Sequence, residues 1–136
     1  MRDGDTILLS DGRRVRLVQV DAPELGRECH GDASAAALER LAPPGTELRL
    51  ERDPRLDDVD RHRRHLRYAY ADGSNLNVEV VRLGAAAPYF YRGERGRYAR
   101  RLVAAAREAR AERRGLWGAC PGTRLRPERQ VETGAP

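Results

Sequence analysis

The sequence predicts a mainly β, α+β domain in which about five short strands form a small barrel that carries about three helices. Short apolar segments alternate with turn signals in the first half of the chain, and apolar residues recur at helical spacing in the second half. The 136 residues suit one domain, because domains commonly contain ~100–200 residues. A domain of this size can bury a core without help from metals or disulfides.

The predicted strands are short and end at recognisable turn signals. The first, Asp5–Leu9, ends at a Ser-Asp-Gly turn, and the second begins at Arg14 and continues unbroken until Pro23. A third strand covers Thr46–Arg52, and a charged loop follows it over residues 53–63. The remaining extended segments are a strand in which Leu66, Tyr68 and Tyr70 alternate before Asp72-Gly73, and the segment Tyr89–Tyr91.

Three segments have the spacing and the end signals of helices. The first covers about residues 31–42 and ends at a Pro-Pro-Gly sequence. The second is capped by Asn77 and ends at Gly84. The longest covers about residues 93–114, with Gly115 as its C-terminal cap. Its apolar stripe consists of Tyr98, Leu102, Ala105 and Ala109.

The end of the chain is predicted to differ from the body. Leu116 and Trp117 are expected to pack back onto the body, whereas the residues from Pro121 onward include few apolar side chains. Such a composition indicates a mobile segment. The domain is therefore predicted over residues 1–118, and a flexible C-terminal tail over residues 119–136.

The charge of the chain is compatible with a nucleic-acid partner. The sequence has 26 basic and 21 acidic residues, a net charge of +5, and every basic residue is arginine. Arginine binds phosphate through two parallel hydrogen bonds, but a GC-rich genome would also favour arginine over lysine, and both explanations stay open. The sequence contains no run of the ~20 apolar residues that a membrane-spanning helix requires, so we expect none.

Cys29 and Cys120 are the only cysteines in the sequence. They allow one disulfide, which would indicate an oxidising compartment. Two free thiols in a reducing compartment are the alternative, and the sequence alone leaves both open.

Three polar segments can carry chemistry: residues 3–6 (Asp-Gly-Asp-Thr), 16–24 (Arg-Leu-Val-Gln-Val-Asp-Ala-Pro-Glu) and 60–64 (Asp-Arg-His-Arg-Arg). Each also has an ordinary structural interpretation, as a turn, a strand end or a solvated loop. In the charged loop, the side chains of Asp57, Asp58 and Asp60 are expected to be solvated rather than metal ligands.

Taken together, the three segments suit phosphodiester hydrolysis. Asp5 and Asp21 offer the oxygen ligands that calcium or magnesium prefers. Glu24 follows Asp21 closely enough to take a proton from a water molecule beside such a metal. Arg16 and Arg64 can bind the phosphate oxygens on which negative charge develops.

An ordered series of segments resembles the staphylococcal nuclease (thermonuclease) family. It includes the three segments above and covers nearly the whole predicted domain. Its other members are Gly-Asp-Ala-Ser at 31–34, Leu-Arg-Tyr-Ala-Tyr at 66–70, Asp-Gly at 72–73, residues 77–84, Tyr-Phe-Tyr at 89–91, the long helix and Gly-Leu-Trp at 115–117. The resemblance implies a five-stranded OB-type barrel with about three helices. It also implies calcium-dependent hydrolysis of DNA and RNA to 3′-phosphate products.

The resemblance also implies roles for individual residues. Asp5, Asp21 and the main-chain carbonyl of Ala22 resemble the Ca²⁺ ligands, and Asp3 resembles an acidic neighbour that supports them. Glu24 is similar to the presumed general base, and Arg16 and Arg64 to the arginines that bind the reacting phosphate. The substrate-binding positions implied by the resemblance are Arg61, His62, Tyr89 and Tyr91, of which the two tyrosines would stack on a base.

The sequence departs from the family pattern at several positions. Ala22 stands where the best-known member has threonine, and His62 replaces a tyrosine, so that substrate binding would depend on pH. Arg63 replaces a glycine and would be strained if the backbone there has a positive φ. Only Met1 and Arg2 precede the Asp-Gly-Asp segment, where the family has most of a strand. An open barrel edge would lower stability or allow strand exchange between chains.

The resemblance brings the regions of Cys29 and Cys120 close together and so implies a disulfide between them. A zinc site of Cys29, His30 and Cys120 is the alternative. With nuclease activity, the disulfide favours a secreted or extracytoplasmic protein.

The residues leave more than one class of function open. An active nuclease acting on DNA and RNA is the leading hypothesis, because Asp5, Asp21, Glu24 and both arginines are retained together. The alternatives are a non-catalytic module that binds nucleic acid or protein, and a structural domain of a larger surface protein. We expect a monomer, with a strand-exchanged dimer as the alternative.

Overall fold

The α+β class predicted from the sequence is confirmed by a computed structural model that describes residues 3–136. Met1 and Arg2, which begin the predicted domain, lie outside the described residues. The strands are β1 (Thr6–Leu8), β2 (Arg14–Leu17), β3 (Val20–Asp21), β4 (Arg49–Glu51), β5 (His65–Ala71), β6 (Ser74–Asn75) and β7 (Ala87–Pro88). The helices are α1 (Gly31–Leu41), α2 (Leu76–Arg82), α3 (Ala99–Ala111) and α4 (Leu116–Ala119), with a 3₁₀ turn at Tyr91–Gly93.

The strands form a five-stranded sheet and a separate two-stranded sheet. The larger sheet has the order β1-β2-β5-β4, with β6 paired to β5, and β3 pairs with β7 in the smaller one. β2 and β5 are parallel, with Arg16 opposite Leu66, whereas β1 and β4 pair antiparallel with their neighbours. Among the described residues β1 and β4 are not paired to each other, so a closed OB-type barrel is not shown and stays a prediction.

The single strand predicted from Arg14 to Pro23 is wrong, because the chain bends at Gln19. Gln19 has a left-handed backbone with φ of 69°. Its side chain donates a hydrogen bond to the carbonyl of Glu94 and accepts one from the N–H of Gly96. These distant contacts compensate for a conformation that a non-glycine residue rarely adopts. The bend separates β2 from β3 and brings Asp21 back beside Arg16.

The cap predicted for the second helix is also wrong by two residues. The side chain of Asn75, not Asn77, accepts a hydrogen bond from the N–H of Val78 and caps α2. Asn77 is fully buried in the first turn, where its side chain donates to the carbonyl of Val18 and accepts from the N–H of Ala69. It therefore ties α2 and β5 to the bend between β2 and β3.

The longest helix is shorter at both ends than the predicted residues 93–114. The N–H groups of Gly96 and Arg97 donate to the side chains of Gln19 and Asp53, which holds this segment out of the helix until Ala99. Tyr91 likewise begins a 3₁₀ turn instead of extending the predicted strand.

Gly115 does not cap the long helix but precedes α4, and it lies against the end of α2. A Cβ atom added at Gly115 would lie 2.3 Å from the carbonyl oxygen of Gly84, so no larger residue fits there. Leu116 and Trp117 are buried, as predicted, and pack with Ala109 and Val131. The close approach of Gly115 to Gly84 holds α4 against the end of α2, and the packing of Trp117 with Val131 joins α4 to the C-terminal residues.

Cys29 and Cys120 form a disulfide that joins the loop before α1 to the end of α4. Their sequence separation is 91 residues. Because both sulfurs are bonded to each other, they are not available to the alternative zinc site. Among residues 3–136, no helix is both long and apolar enough to cross a membrane.

Replacing both cysteines with serine is expected to lower the free energy of unfolding by about 2–4 kcal/mol, because the unfolded chain then regains the freedom of a long loop. Urea unfolding of the double variant and of the oxidised protein measures the difference. The reduced wild-type protein should match the variant. Equal unfolding free energies in all three samples would contradict the prediction.

The last residues of the chain lie against the body of the domain. The side chains of Val131 and Thr133 are buried, and the N–H of Cys29 donates to the carbonyl of Gly134. The hydroxyl of Thr133 donates to the carbonyl of Cys29 at 2.7 Å. The predicted boundary at residue 118 and the flexibility of the tail stay predictions.

Candidate active site

One cavity of about 310 Å³ collects most of the polar residues singled out in the sequence. The lining residues predicted from the sequence are Asp3, Asp5, Arg16, Asp21, Ala22, Glu24 and Arg64. Glu28, Gln130 and Val131 also line it and were not predicted. The cavity has the size of a small-molecule site, but its lining is mostly charged.

Arg16 lies buried between the carboxylates of Asp5 and Asp21. Its guanidinium lies 3.4 Å from an oxygen of Asp5 and donates to Asp21 at 3.1 Å. It also donates to the carbonyls of Leu17 and Val20, at 3.0 and 2.7 Å. Because the side chain is only 10% exposed, these contacts fix its position and bring both carboxylates to one point.

Both aspartates also accept hydrogen bonds from the main chain, Asp5 with the oxygen that faces Arg16 and Asp21 with its other oxygen. Asp5 accepts from the N–H of Ala22 at 2.8 Å, and Asp21 accepts from the N–H of Val131 at 2.9 Å. Burial raises the pKa of Asp21 to about 7, the positive charge of Arg16 opposes that rise, and the carboxylate of Asp5 adds to it. A cation bound at this point would favour the ionised form of Asp21.

Arg64 is positioned by the turn that precedes β5. Asp60 accepts hydrogen bonds from the N–H groups of His62 and Arg64 with one oxygen, and from Nε of Arg64 with the other, at 2.8 Å. Among the described residues, the terminal nitrogens of Arg64 have no hydrogen-bond partner, and the side chain lines the cavity. The arginine fork is therefore oriented and available for an anion.

Asp60 is not the solvated side chain expected from the charged loop. Its carboxylate is part-buried, and hydrogen bonds from the turn lower its pKa against the effect of burial, which raises it. Asp58 pairs with Arg67 at 2.7 Å, but its side chain is 46% exposed and so remains in contact with solvent, as expected.

Arg63, beside the phosphate-binding candidate, has a left-handed backbone with φ of 60°. Replacing it with glycine is expected to stabilise the fold by about 1 kcal/mol, because glycine adopts this conformation without a Cβ clash. Thermal unfolding of Arg63→Gly measures this as a higher melting temperature. The same change at the neighbouring exposed Arg61, whose φ is not positive, should give no gain. A lower melting temperature of Arg63→Gly would contradict the account.

Glu24 and Glu28 contribute two further carboxylates to the cavity. The carboxylate of Glu28 accepts a hydrogen bond from the N–H of Glu24 at 2.9 Å and another from the N–H of Thr133 at 3.4 Å. The side chain of Glu24 is 56% exposed, and its nearest cation is Arg27 at 3.8 Å. Glu28 thus holds the loop, whereas Glu24 is accessible to water and substrate.

Asp3 supports the same loop, since its carboxylate accepts a hydrogen bond from the N–H of Leu25 at 3.2 Å. It lines the cavity without contacting Arg16. The predicted role of Asp3 as a support of the metal site stays a prediction.

The four residues predicted to bind the substrate lie outside the cavity lining. Tyr89 and Tyr91 lie together with ring centroids 6.3 Å apart, and Tyr91 is exposed. Tyr89 directly follows β7, in which Ala87 lies opposite Asp21, and burial raises its pKa, to which the negative charge of Asp21 adds. Arg61 and His62 are exposed on the turn that positions Arg64.

The oxygen donors of this cavity fit a hard divalent cation. The two carboxylates converge on Arg16, which shows that a positive charge is accommodated between them. Asp5, Asp21 and the carbonyl of Ala22 are ligands of the kind that calcium prefers. No group of three His, Cys, Asp or Glu side chains suited to a metal occurs in residues 3–136, so a cation here needs main-chain or water oxygens as well.

The fold and the cavity together define a mixed α+β domain with a charged cavity in which carboxylates and arginines converge. The family model described as staphylococcal nuclease homologue matches residues 14–119. The chain therefore belongs to this family. Membership of the family indicates a nuclease-like protein. Asp3 and Asp5 lie before the matched residues, and the cavity joins them to the rest of the site.

Proposed function

We propose that the protein is a calcium-dependent nuclease that hydrolyses phosphodiester bonds of DNA and RNA and leaves 3′-phosphate products. The observation that carries this proposal is the convergence of Asp5, Asp21, Glu24 and Arg64 on one cavity, with Arg16 between the aspartates. Membership of a nuclease-like family supports it.

The reaction needs a base, a nucleophilic water molecule and cationic groups on the phosphate. Glu24 takes a proton from water, whose oxygen forms a bond to phosphorus while the bond from phosphorus to the 5′ oxygen breaks. The 5′ oxygen leaves with a proton taken from water, and the phosphate stays on the 3′ side. The exposure of Glu24 supports its role, because a base must reach both water and substrate.

Arg64 and Arg16 contribute to this reaction in different ways. The terminal nitrogens of Arg64 have no partner among the described residues, so Arg64 is the principal candidate for binding the reacting phosphate. Most donors of Arg16 already bind Asp21 and main-chain carbonyls. Arg16 therefore organises the carboxylates and adds positive charge beside the phosphate.

The carboxylates of Asp5 and Asp21 and the carbonyl of Ala22 would hold calcium. When bound, the ion would supply positive charge to the phosphate and lower the pKa of water. Asp3 supports the loop that carries Glu24. Tyr89 and Tyr91 would contact a base, and Arg61 and His62 an adjacent phosphate, at the edge of the site.

The disulfide supports a place for the protein outside the reducing cytoplasm. We propose a secreted or extracytoplasmic location on this ground. We also propose a monomer as the active form.

Incubation of single-stranded DNA and of RNA with the protein, in millimolar calcium and in chelator, tests the proposal. We expect cleavage only with calcium, and fragments that become substrates for end extension only after a phosphatase removes their 3′-phosphate. Binding of both nucleic acids without cleavage would replace the proposal with a non-catalytic binding module. Neither binding nor cleavage would favour a structural domain.

A further inference from the structure

The C-terminal segment, residues 121–136, forms a second polar cavity of about 350 Å³. It is lined by Gly122, Arg124, Arg126, Arg129, Gln130 and Glu132, and it is called the tail cavity below. Gln130 also lines the cavity of the candidate active site, so that the two cavities share one wall.

The segment is attached to the body at both of its ends. Just before its start, the disulfide joins Cys120 to Cys29, and near its middle the carbonyl of Pro127 accepts a hydrogen bond from the N–H of Phe90 at 2.6 Å. Further along, Val131 is buried and its N–H binds Asp21, and the carbonyl of Gly134 binds the N–H of Cys29. The tail cavity therefore has a defined place beside the active site.

The arginines of the tail cavity are free to bind a ligand. Among the described residues, Arg124, Arg126 and Arg129 form neither an ion pair nor a side-chain hydrogen bond, and all three are exposed. Glu132 is the one carboxylate in the lining, which leaves an excess of positive charge. Several unpaired guanidinium groups around a polar cavity are the arrangement that binds phosphate oxygens.

We propose that the tail cavity binds a backbone phosphate of the polynucleotide, beyond the phosphate that reacts, and so extends the substrate site along the C-terminal segment. This inference rests on the proposed function, because it takes the neighbouring cavity as the site of cleavage. A strand that lies in the active site passes over Gln130 into the tail cavity. The protein then binds long strands more tightly than short ones, although their reacting bonds are identical.

Fluorescence anisotropy in calcium-free buffer tests the inference without cleavage. The probes are a labelled oligothymidylate of about 12 nucleotides, within the usual range of single-strand site sizes, and a dinucleotide as a competitor. The tail variant combines Arg124→Gln, Arg126→Gln and Arg129→Gln. The control variant combines Arg100→Gln, Arg107→Gln and Arg110→Gln on α3, which removes the same charge from exposed residues that line neither cavity.

We expect the tail variant to bind the oligothymidylate about tenfold more weakly. The slope of log affinity against log salt should be shallower by about 0.7 for each phosphate that the variant no longer binds. The control variant should change affinity about twofold at most, and the dinucleotide should bind all proteins equally. Glu132→Gln, which removes the carboxylate from the tail cavity, should tighten binding of the long strand. This gain of affinity is a result that a misfolded segment would not give.

The inference is overturned if the two triple variants weaken binding equally, if the tail variant weakens the dinucleotide as much as the long strand, or if the wild-type protein does not bind the long strand. Strong, tail-dependent binding by a protein that does not cleave would uphold the inference and reject the proposed function. Calcium-dependent cleavage by the wild-type protein, together with equal binding of the long strand by the two triple variants, would uphold the proposed function and reject the inference.

Discussion

Replacement of Glu24 with glutamine is expected to lower the rate of DNA cleavage at saturating substrate by at least about 100-fold, the usual contribution of a positioned general base. Glutamine has the size of glutamate but cannot accept the proton of the attacking water. The affinity for DNA should not fall, because the change removes an exposed negative charge that would repel the substrate. Single-turnover cleavage of an end-labelled strand, together with binding in chelator, separates the two quantities.

Glu28→Gln is the matched control, because Glu28 lies in the same cavity and undergoes the same chemical change. Glutamine at position 28 still offers an oxygen to the N–H of Glu24, so we expect less than about a tenfold loss. A loss at Glu28 as large as that at Glu24 would transfer the role of base to Glu28. Full activity of Glu24→Gln would contradict the mechanism.

Replacement of Arg16 with glutamine is expected to affect stability and activity together. The change leaves the buried carboxylates of Asp5 and Asp21 facing each other without their shared cation. Breaking a buried ion pair in this way costs about 3–5 kcal/mol of unfolding free energy. The rate of cleavage should fall by about 100-fold or more, since a cationic group beside the developing charge is removed.

Calcium should restore part of the stability of Arg16→Gln, because a cation bound by the two aspartates replaces the missing charge. Urea unfolding with and without calcium measures this recovery. Arg13→Gln, which removes an exposed pair with Asp11, is the control and should change stability by less than about 1 kcal/mol. If Arg16→Gln were as stable as Arg13→Gln, the central place of Arg16 in the site would be contradicted.

The sequence predicted the order of most strands and helices, because alternation and helical spacing are local properties of the chain. It did not predict the bend at Gln19, which depends on contacts with Glu94 and Gly96 far along the chain. Nor did it predict the late start of α3, where the N–H groups of residues 96 and 97 are taken by distant side chains. In both places tertiary hydrogen bonds override the local pattern.

In the candidate site, too, local sequence patterns predicted some residues, whereas tertiary contacts determined the position of others. Motifs located Asp5, Asp21, Glu24 and Arg64, since each lies in a short segment whose residue types suit one reaction. Gln130 and Val131 had no such signal, because a disulfide and main-chain hydrogen bonds to distant residues hold their segment at the cavity. The polar composition of residues 121–136 does not reveal this placement.

The rate of cleavage of single-stranded DNA as a function of calcium concentration, for the wild-type protein and for Asp21→Asn, tests the central claim most directly. The account predicts a rate that saturates with calcium in the wild-type protein. For Asp21→Asn it predicts a lower rate that needs much more calcium, because one of the two converging carboxylates is removed. A wild-type rate that does not depend on calcium, or a folded Asp21→Asn variant with an unchanged calcium dependence, would contradict it.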